Sequence, residues 1–406
     1  DGFQPEELEK FLSQDLDKIE NKSLEKINIP QEEIDNIKLD NNNFHILDFG
    51  KDLTGFIGIK VICTEPVELL MVFDELLVDS DVKYNRNRSI QAIRWELEPG
   101  TYELESIEPY TFRYLKIIAQ KGSCQVKSPY LREYVNPEAD KGKFISSNKL
   151  LNDIFEAGRE SFRQNAVDIF MDCPSRERAG WLCDSNFTAR AALDLTGNTT
   201  VEKNFLENYL LPDDFSDLPE GMLPMCYPSD HKKGAYICQW ALWFVLELEE
   251  YLERSGDRDM IDALKTRVFK LLDFFEPYLN EFGLLENLKG GNYIDWTKAN
   301  EFVKGADVSY PTNMLYAAVL DAVSRLYNRK ELAVKAKNIR NLIREQSFYG
   351  NFFVDKASRV DGEIKSDPET SEACQYYAFY LGVATPESFP KLWDKLVNQF
   401  GSVRNP

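Results

Sequence analysis

The pattern of apolar and polar residues changes once along the chain, close to Gly142. Before this point, short apolar and β-branched runs alternate with Gly, Pro and Asn, and they cover residues 44–49, 55–63, 67–73, 90–97 and 112–118. The tripeptide Glu98-Pro99-Gly100 is a turn signal between two of these runs. Short strands at such spacing are typical of an antiparallel sandwich. We therefore predict a β-sandwich domain over residues 41–141.

After Gly142 the apolar residues recur at helical spacing. The first stripe consists of Leu150, Leu151, Ile154, Phe155, Gly158 and Phe162. Further helices are predicted near residues 235–254, 260–272, 312–327, 331–345, 371–381 and 390–400. Thr199 and Glu202 have the spacing of a capping box before another helix, which contains Phe205. The pattern predicts about nine helices and no strand after Gly142.

The predicted connections between helices alternate between short and long. The long ones, residues 170–183, 211–234 and 283–310, are rich in Trp, Asp, Pro and Gly. Long structured loops in a compact domain usually carry function. A solenoid would show a sequence repeat, and none is visible. Hairpins with their long loops on one rim instead predict an all-α (α/α)6 six-hairpin barrel over residues 142–406, which about nine helices fill only partly.

The first 40 residues are acidic and predict one short helix over residues 5–19 followed by a polar connector. The chain is thus predicted to be multidomain, with this segment (1–40), the antiparallel β-sandwich (41–141) and the partial barrel (142–406). A length of 406 residues suits two or three domains. The sequence begins at Asp1 rather than Met, so we expect it to be an excerpt or a processed form.

Charge and cysteine content narrow the function classes. A net charge of −20 argues against nucleic-acid and anionic-membrane partners and fits a neutral substrate. No apolar stretch is long enough to predict a membrane span. The seven cysteines are odd in number and scattered, which indicates free thiols and a cytoplasmic location. Cys173 and Cys183 have no neighbouring His, so no zinc site is predicted.

One segment, Met171-Asp-Cys-Pro-Ser-Arg-Glu-Arg-Ala-Gly-Trp-Leu-Cys-Asp184, combines three acids, two arginines and a Trp. Glycoside hydrolysis needs one carboxylic acid to protonate the leaving oxygen and a second carboxylate opposite it. An aromatic ring can stack on the apolar face of a sugar, and an adjacent Arg can tune the protonation of an acid. A surface ion-pair network around a buried Trp would have the same composition. The spacing alone leaves both interpretations open.

This segment resembles the signature of the bacterial α-L-rhamnosidase family, glycoside hydrolase family 78, which reads Asp-Cys-Pro-x-Arg-Asp-Glu-Arg-x-Gly-Trp. Residues 172–176 match its first half and residues 177–181 its second half. Residues 47–56, 112–114 and 293–296 resemble other family segments, so the similarity covers roughly residues 44–406.

The chain has one acid where the signature has Asp-Glu between its two arginines. Counted back from Trp181, Glu177 falls on the family's general acid; counted forward from Asp172, it falls on the preceding Asp. We favour the first alignment because Glu-Arg-x-Gly-Trp stays intact. The missing residue leaves the role of Asp172 less defined.

The resemblance implies an inverting α-L-rhamnosidase that needs no metal or cofactor, although some families of this type use calcium. Glu177 would be the general acid. The residues expected to bind the substrate are Asp172, Arg176, Trp181, Asp184, Asp295 and Trp296. For Asp295 and Trp296, a helix N-cap beside a core Trp is the competing interpretation.

In the resembling family the general base is a Glu of a late Trp-Glu motif. We do not find that motif and expect the base to lie beyond Pro406. Glu369 and Glu372 are the remaining acids near a late loop. Residues 371–378 resemble a family helix that precedes the base.

The predicted function is release of terminal α-L-rhamnose from glycans or plant glycosides. The expected partner is a rhamnose-containing carbohydrate, and neither nucleic acid nor a membrane is expected as a partner. The sequence leaves open whether the protein forms a homodimer. Two rival functions remain: another six-hairpin glycosidase, acting on uronyl or glucosyl residues, and a carbohydrate-binding relative without catalysis. With only His45 and His231, both expected to be non-catalytic, a Ser-His-Asp mechanism has little material. Trp240 and Trp243 are expected in the core.

Overall fold

The computed structural model describes residues 25–26, 35–41, 43–86, 89–229, 234–295 and 308–400. The predicted N-terminal helix, His231 and Trp296 lie outside these residues. The chain divides into two units, one formed by Asp1–Ala179 with Asp194–Gly197 and the other by Gly180–Leu193 with Asn198–Pro406. The domain limits at residues 40 and 141, which were drawn from sequence texture, stay predictions.

The first unit is built around an eight-stranded sheet. The strands of this unit are β1 (Glu25–Lys26), β2 (Ile37–Leu39), β3 (Asn43–Cys63), β4 (Val67–Asp74), β5 (Leu77–Val78), β6 (Asp81–Val82), β7 (Ala92–Leu97), β8 (Gly100–Glu105), β9 (Tyr110–Lys121) and β10 (Cys124–Glu133). Strands β5 and β6 form a separate pair outside the sheet. The order is β2-β10-β3-β9-β4-β7, all antiparallel, while β1 and β8 also pair with β3. This confirms an antiparallel sheet domain where the sequence predicts a sandwich.

The 21-residue strand β3 organises this sheet. Its first part, residues 44–55, pairs with β9, and its second part lies between β10 and β8. A Cβ on Gly58 would lie 1.9 Å from the ring of Tyr130 on β10, so the glycine lets this exposed ring lie flat on β3. Both parts of β3 contribute to one apolar cluster, whose buried members include Leu47, Ile57, Leu69, Phe112, Ile117 and Val126. The pattern predicted β3 as two strands and missed β8 and β10, which carry many polar residues.

Nine α-helices occur within the described residues. They are α1 (Lys149–Asn165), α2 (Asp184–Thr196), α3 (Thr200–Asn208), α4 (Cys238–Ser255), α5 (Arg258–Phe275), α6 (Tyr310–Tyr327), α7 (Lys330–Ser347), α8 (Glu372–Tyr380) and α9 (Pro390–Gln399). Their bounds lie close to the predicted ones, and α4 ends at Gly256, whose φ of +71° suits a glycine. In the second unit, α6 is buried on nearly every side and packs on α4 and α7. In the described part of the chain, every helix is too short or too polar to span a bilayer.

The connections alternate in length as predicted. Residues 197–199, 256–257 and 328–329 are short connections, whereas residues 166–183, 209–237 and 276–309 are long. Helix α1 belongs to the sheet unit, and its apolar stripe is mostly exposed, since Phe162 is buried but Leu150 and Ile154 are not.

Two details of the sequence analysis are wrong. Thr199 makes no side-chain cap bond. Glu202 instead accepts a hydrogen bond from Arg254 Nη2 at 2.6 Å, because a buried charge-assisted hydrogen bond is stronger than an exposed cap.

Strands also occur after Gly142, namely β11 (Val308–Ser309), β12 (Phe348–Tyr349), β13 (Phe352–Phe353), β14 (Lys356–Val360) and β15 (Glu363–Ser366). Strands β14 and β15 form a hairpin whose turn residues, Asp361 and Gly362, both have positive φ. This Asp-Gly pair is a hairpin signal that the helical reading overlooked.

Candidate active site

The segment that carries Glu177 is a loop closed on itself after α1. The Asp172 amide donates to the Ala179 carbonyl at 3.2 Å, and the Ala179 amide donates to Asp172 Oδ1 at 3.3 Å. Inside this closure, the Arg178 amide donates to the Cys173 carbonyl and the Glu177 amide contacts Cys173 Sγ at 3.4 Å. Asp172 therefore braces the base of the loop with one carboxylate oxygen.

Arg178, directly before the closing residue Ala179, has an unusual backbone conformation. Its φ of +50° is in the left-handed region, which costs an ordinary residue roughly 1–2 kcal/mol. Its guanidinium donates to the Pro109 carbonyl at 2.8 Å through Nη1 and to the Glu108 carboxylate through Nη2. It also lies 5.9 Å from the ring centre of Tyr110. These contacts offset the backbone cost.

The Glu177 side chain is only 13% exposed, and its carboxyl forms an ion pair with Arg176, which is 46% exposed. A nearby cation favours the ionised form of a carboxyl, so it is the shielding from solvent, and not the cation, that suits a proton donor. The same pairs, Arg176 with Glu177 and Arg178 with Glu108, also fit the ion-pair interpretation of this segment. Geometry alone therefore does not separate the two interpretations.

The second half of the motif belongs to the helical unit and runs beside residues 225–227. The Tyr227 amide donates to the Gly180 carbonyl at 2.9 Å, and the Leu182 amide donates to the Met225 carbonyl at 3.0 Å. A Cβ on Gly180 would lie 2.7 Å from the Tyr227 carbonyl oxygen, which explains the glycine of the motif. This pairing places Trp181, which is half-buried, opposite Cys226.

Asp184 is exposed and begins α2 directly after the left-handed residue Cys183, whose φ is +75°. Behind it, the buried Ser185 hydroxyl donates to Glu247 Oε2 at 2.5 Å. Burial raises the pKa of Glu247 to about 8. Glu247 gave no signal in the sequence because it is one of four glutamates in α4, and such acids resemble surface residues.

Asp184 and Asp295 come together electrostatically around Tyr293. Burial raises the pKa of the Tyr293 hydroxyl, and the nearby carboxylates of Asp295 and Asp184 raise it further. Burial also raises the pKa of Tyr377, with further contributions from Cys183 and Asp295. Within the helical unit, Asp184 and Asp295 thus both act on the Tyr293 hydroxyl, and Asp295 also acts on that of Tyr377.

Polar and aromatic contacts from α4 fix Tyr293. Its amide donates to Gln239 Oε1 at 3.1 Å, and its ring meets the edge of Trp240 at 5.0 Å between ring centres. The core prediction is confirmed for Trp243, whereas Trp240 is only half-buried. Tyr293 lay inside the recognised Tyr-Ile-Asp-Trp segment, but Tyr377 had the pattern of a core residue and gave no signal.

The predicted site residues thus fall into two groups, each described within its own unit. Asp172, Arg176 and Glu177 share the loop of the sheet unit, and the helical unit carries Trp181, Asp184 and Asp295. Among the described residues, no three His, Cys, Asp or Glu side chains are grouped as metal ligands.

An antiparallel sheet domain joined to helical hairpins, with acid-rich motifs in the long connections, places this protein in a broad class of hairpin-domain proteins. Within that class, the sequence profile of the bacterial alpha-L-rhamnosidase 6 hairpin glycosidase domain matches residues 139–383. This match spans more than half of the chain, and the chain therefore belongs to that family.

Individual relatives agree with this assignment. An alpha-L-rhamnosidase of Alteromonas sp. (strain LOR) is 27% identical over 228 residues, which are 52% of this chain and 24% of that protein. The fold is similar to that of a glycoside hydrolase family 78 rhamnosidase of Bacillus sp. GL1, with a TM-score of 0.76, 20% identity, and coverage of 87% of this chain and 37% of the other. A Klebsiella oxytoca rhamnosidase with rhamnose bound gives a TM-score of 0.69 at 19% identity, with coverage of 93% and 75%. The chain spans about a quarter of the length of the Alteromonas relative.

Proposed function

We propose that this protein hydrolyses terminal α-L-rhamnosides with inversion of configuration and that Glu177 is the general acid. The observation that carries the proposal is the shielded Glu177 carboxyl, which lies in the family's motif loop beside Arg176. Its relatives are called rhamnosidases, and one of them has rhamnose bound. The closed (α/α)6 barrel is part of this proposal.

The contacts of the loop favour Glu177 over Asp172 as the proton donor. Asp172 Oδ1 accepts the Ala179 amide at 3.3 Å, so this side chain already braces the loop and suits a hydroxyl acceptor. Glu177 contributes its backbone amide to the closed loop, where it contacts Cys173 Sγ at 3.4 Å, and its carboxyl is paired with Arg176.

The residues of the helical unit would bind the sugar. Asp184 and Asp295 offer carboxylate oxygens to sugar hydroxyls, Tyr293 offers a hydroxyl, and Trp181 offers a ring for stacking. An inverting hydrolase also needs a base that activates water, with its carboxyl about 6.5–9.5 Å from that of the acid. We assign no residue to that role.

Two other functions are tested by the same experiment. Initial rates should be measured on nitrophenyl α-L-rhamnoside, α-D-glucoside and β-D-glucuronide under identical conditions. Rhamnoside hydrolysis with little turnover of the others supports the proposal. Preferred turnover of a glucoside or glucuronide would make the protein another six-hairpin glycosidase. Rhamnose binding by calorimetry without any turnover would indicate a non-catalytic relative.

A further inference from the structure

The loop that carries Glu177 is fastened to the sheet of its own unit. The Thr111 hydroxyl donates to the Pro174 carbonyl at 2.8 Å, and Arg178 donates to the Pro109 carbonyl at 2.8 Å and to the Glu108 carboxylate. All three partners lie in residues 108–111, which lead into β9 and contain the first residues of β9 that pair with β3. We call these residues the loop anchor.

The loop anchor is itself fixed from inside the unit. Thr111 is buried, and its hydroxyl oxygen lies 2.8 Å from that of Thr54 on β3. Thr54 donates to Gln164 Oε1 on α1 at 2.8 Å, and Gln164 Nε2 donates to the Asp52 carbonyl. Each hydroxyl has a single proton, so the Thr54–Thr111 contact and the two donations cannot all be hydrogen bonds at the same time. Strands β3 and β9, helix α1 and the motif loop therefore meet at one buried polar cluster.

The motif loop needs this support. Arg178 has a left-handed backbone, and the residue immediately before it is Glu177. If the guanidinium lost its partners in the loop anchor, the backbone at Arg178 would be free to return to a preferred conformation. Such a change would rotate the peptide that joins Glu177 to Arg178 and displace the carboxyl.

We propose that Arg178, Glu108 and Thr111 are positioning residues, through which the sheet domain holds Glu177 where it can protonate the leaving oxygen. This inference rests on the proposed role of Glu177 as general acid. A displacement of about 1 Å at a reacting group can lower the rate roughly 100-fold, so the contacts of the loop anchor are large enough to matter. None of the three residues needs to touch the substrate.

The test uses Thr111→Val and Arg178→Lys, with Thr111→Ser as the conservative variant and Arg132→Lys as the matched control. Valine keeps the shape of Thr111 but leaves the Pro174 carbonyl without its donor. Lysine keeps the charge of Arg178 but cannot reproduce its two-pronged donation. Arg132 makes a comparable two-pronged ion pair with Glu105 on the same sheet, at 2.7 and 3.0 Å, and does not bond to the motif loop.

The first readout is hydrogen exchange of peptides that cover residues 171–179, which does not depend on activity. Thr111→Val and Arg178→Lys should both speed exchange of the loop amides, and Thr111→Ser and Arg132→Lys should leave it unchanged. If both disruptive variants keep wild-type exchange in this loop, the positioning role is wrong. Because Arg178→Lys retains the Thr111 contact, it remains informative even if Thr111→Val folds poorly.

The second readout is kcat and KM on an alkyl rhamnoside and on a dinitrophenyl rhamnoside. We expect kcat on the alkyl substrate to fall roughly 10- to 100-fold in both disruptive variants, with KM within about twofold and a smaller loss on the dinitrophenyl substrate. Equal losses on both substrates would overturn the proposal. If the wild-type protein hydrolyses no rhamnoside, the proposed function is wrong instead. Hydrogen exchange of the loop amides still decides in that case whether the loop anchor holds the motif loop.

Discussion

The Ser185 hydroxyl donates a hydrogen bond to the Glu247 carboxyl over 2.5 Å, and neither side chain is exposed to solvent. Ser185 directly follows Asp184, one of the carboxylates proposed to bind the sugar, in helix α2. Glu247 Oε1 has no hydrogen-bond partner among the described residues. A buried carboxyl with one unpaired oxygen is more stable in its neutral form.

This relationship predicts how stability depends on pH. Burial raises the pKa of Glu247 from 4.5 to about 8, the Ser185 bond lowers it, Glu202 and Glu250 raise it, and Arg254 lowers it. Well below pH 4.5 the Glu247 carboxyl is neutral in both the folded and the unfolded protein, so it does not lower the free energy of unfolding. As the pH rises from there towards 8, the unfolded state ionises first, and stability falls by about 1.4 kcal/mol per pH unit.

The variant Glu247→Gln removes this dependence because glutamine does not ionise. Its melting temperature should equal or fall below that of the wild type at pH 5 and should exceed it increasingly between pH 6 and pH 8. Glu276→Gln, which changes a carboxyl that is half exposed, is the control and should show no such trend. Parallel melting curves of wild type and Glu247→Gln across this range would mean that Glu247 ionises normally.

The two halves of the molecule were predictable to different degrees. Helix α4 could be placed from its apolar pattern and its glycine stop, because buried helices leave a strong periodic signal. Strand β10 was missed because polar residues interrupt its apolar pattern, and the continuous course of β3 was hidden by glycines within it. The inward turn of Glu202 depends on Arg254, which is distant in sequence and cannot be read from local capping rules.

The candidate site shows the same division. The motif around Glu177 was found because its residues are contiguous and resemble a long signature. The electrostatic surroundings of Tyr293 and Tyr377 include Cys183, which is far from both in sequence, so no local pattern indicated them. The loop anchor at residues 108–111 was missed for the same reason, since it belongs to a strand about 65 residues before the loop.

Gly180 should not tolerate a side chain. A Cβ there would lie 2.7 Å from the Tyr227 carbonyl and 2.9 Å from the Phe205 ring, so Gly180→Ala must push the backbone away. We expect a loss of about 1–3 kcal/mol in the free energy of unfolding, measured by chemical denaturation. At Gly158 on α1 no atom lies within 4 Å of an added Cβ, so Gly158→Ala should leave the free energy of unfolding unchanged or raise it slightly. Equal stability of the two variants would contradict the described packing of the motif.

Trp181 and Trp243 should respond differently to truncation. Trp243 is 3% exposed and packs near Tyr377, so Trp243→Ala should cost about 3–5 kcal/mol of stability. Trp181 is half-buried and is proposed to contact the sugar, so Trp181→Ala should mainly raise KM and lower the melting temperature less. A large melting loss for Trp181→Ala, with unchanged KM in the folded fraction, would make it a core residue.

The stereochemistry of the product tests the inverting mechanism separately from the identity of the acid. NMR spectra recorded during the first turnovers of a nitrophenyl α-L-rhamnoside should show β-rhamnose before mutarotation mixes the anomers. An inverting hydrolase passes through one displacement and has no covalent intermediate. Initial formation of α-rhamnose would require retention and a nucleophile at the site, and it would rule out this part of the proposal.

The central claim is that Glu177 donates the proton, and its most direct test compares leaving groups in Glu177→Gln. An alkyl alcohol leaves poorly without a proton, whereas dinitrophenolate leaves readily, and general acid catalysis contributes about 10²–10⁴-fold. The account predicts that Glu177→Gln lowers kcat/KM on an alkyl rhamnoside by a factor in that range, with a much smaller loss on dinitrophenyl rhamnoside and a flattened alkaline limb of the pH profile. Equal losses on the two substrates, with an unchanged pH profile and a lower melting temperature, would instead make Glu177 a structural partner of Arg176 and contradict the account.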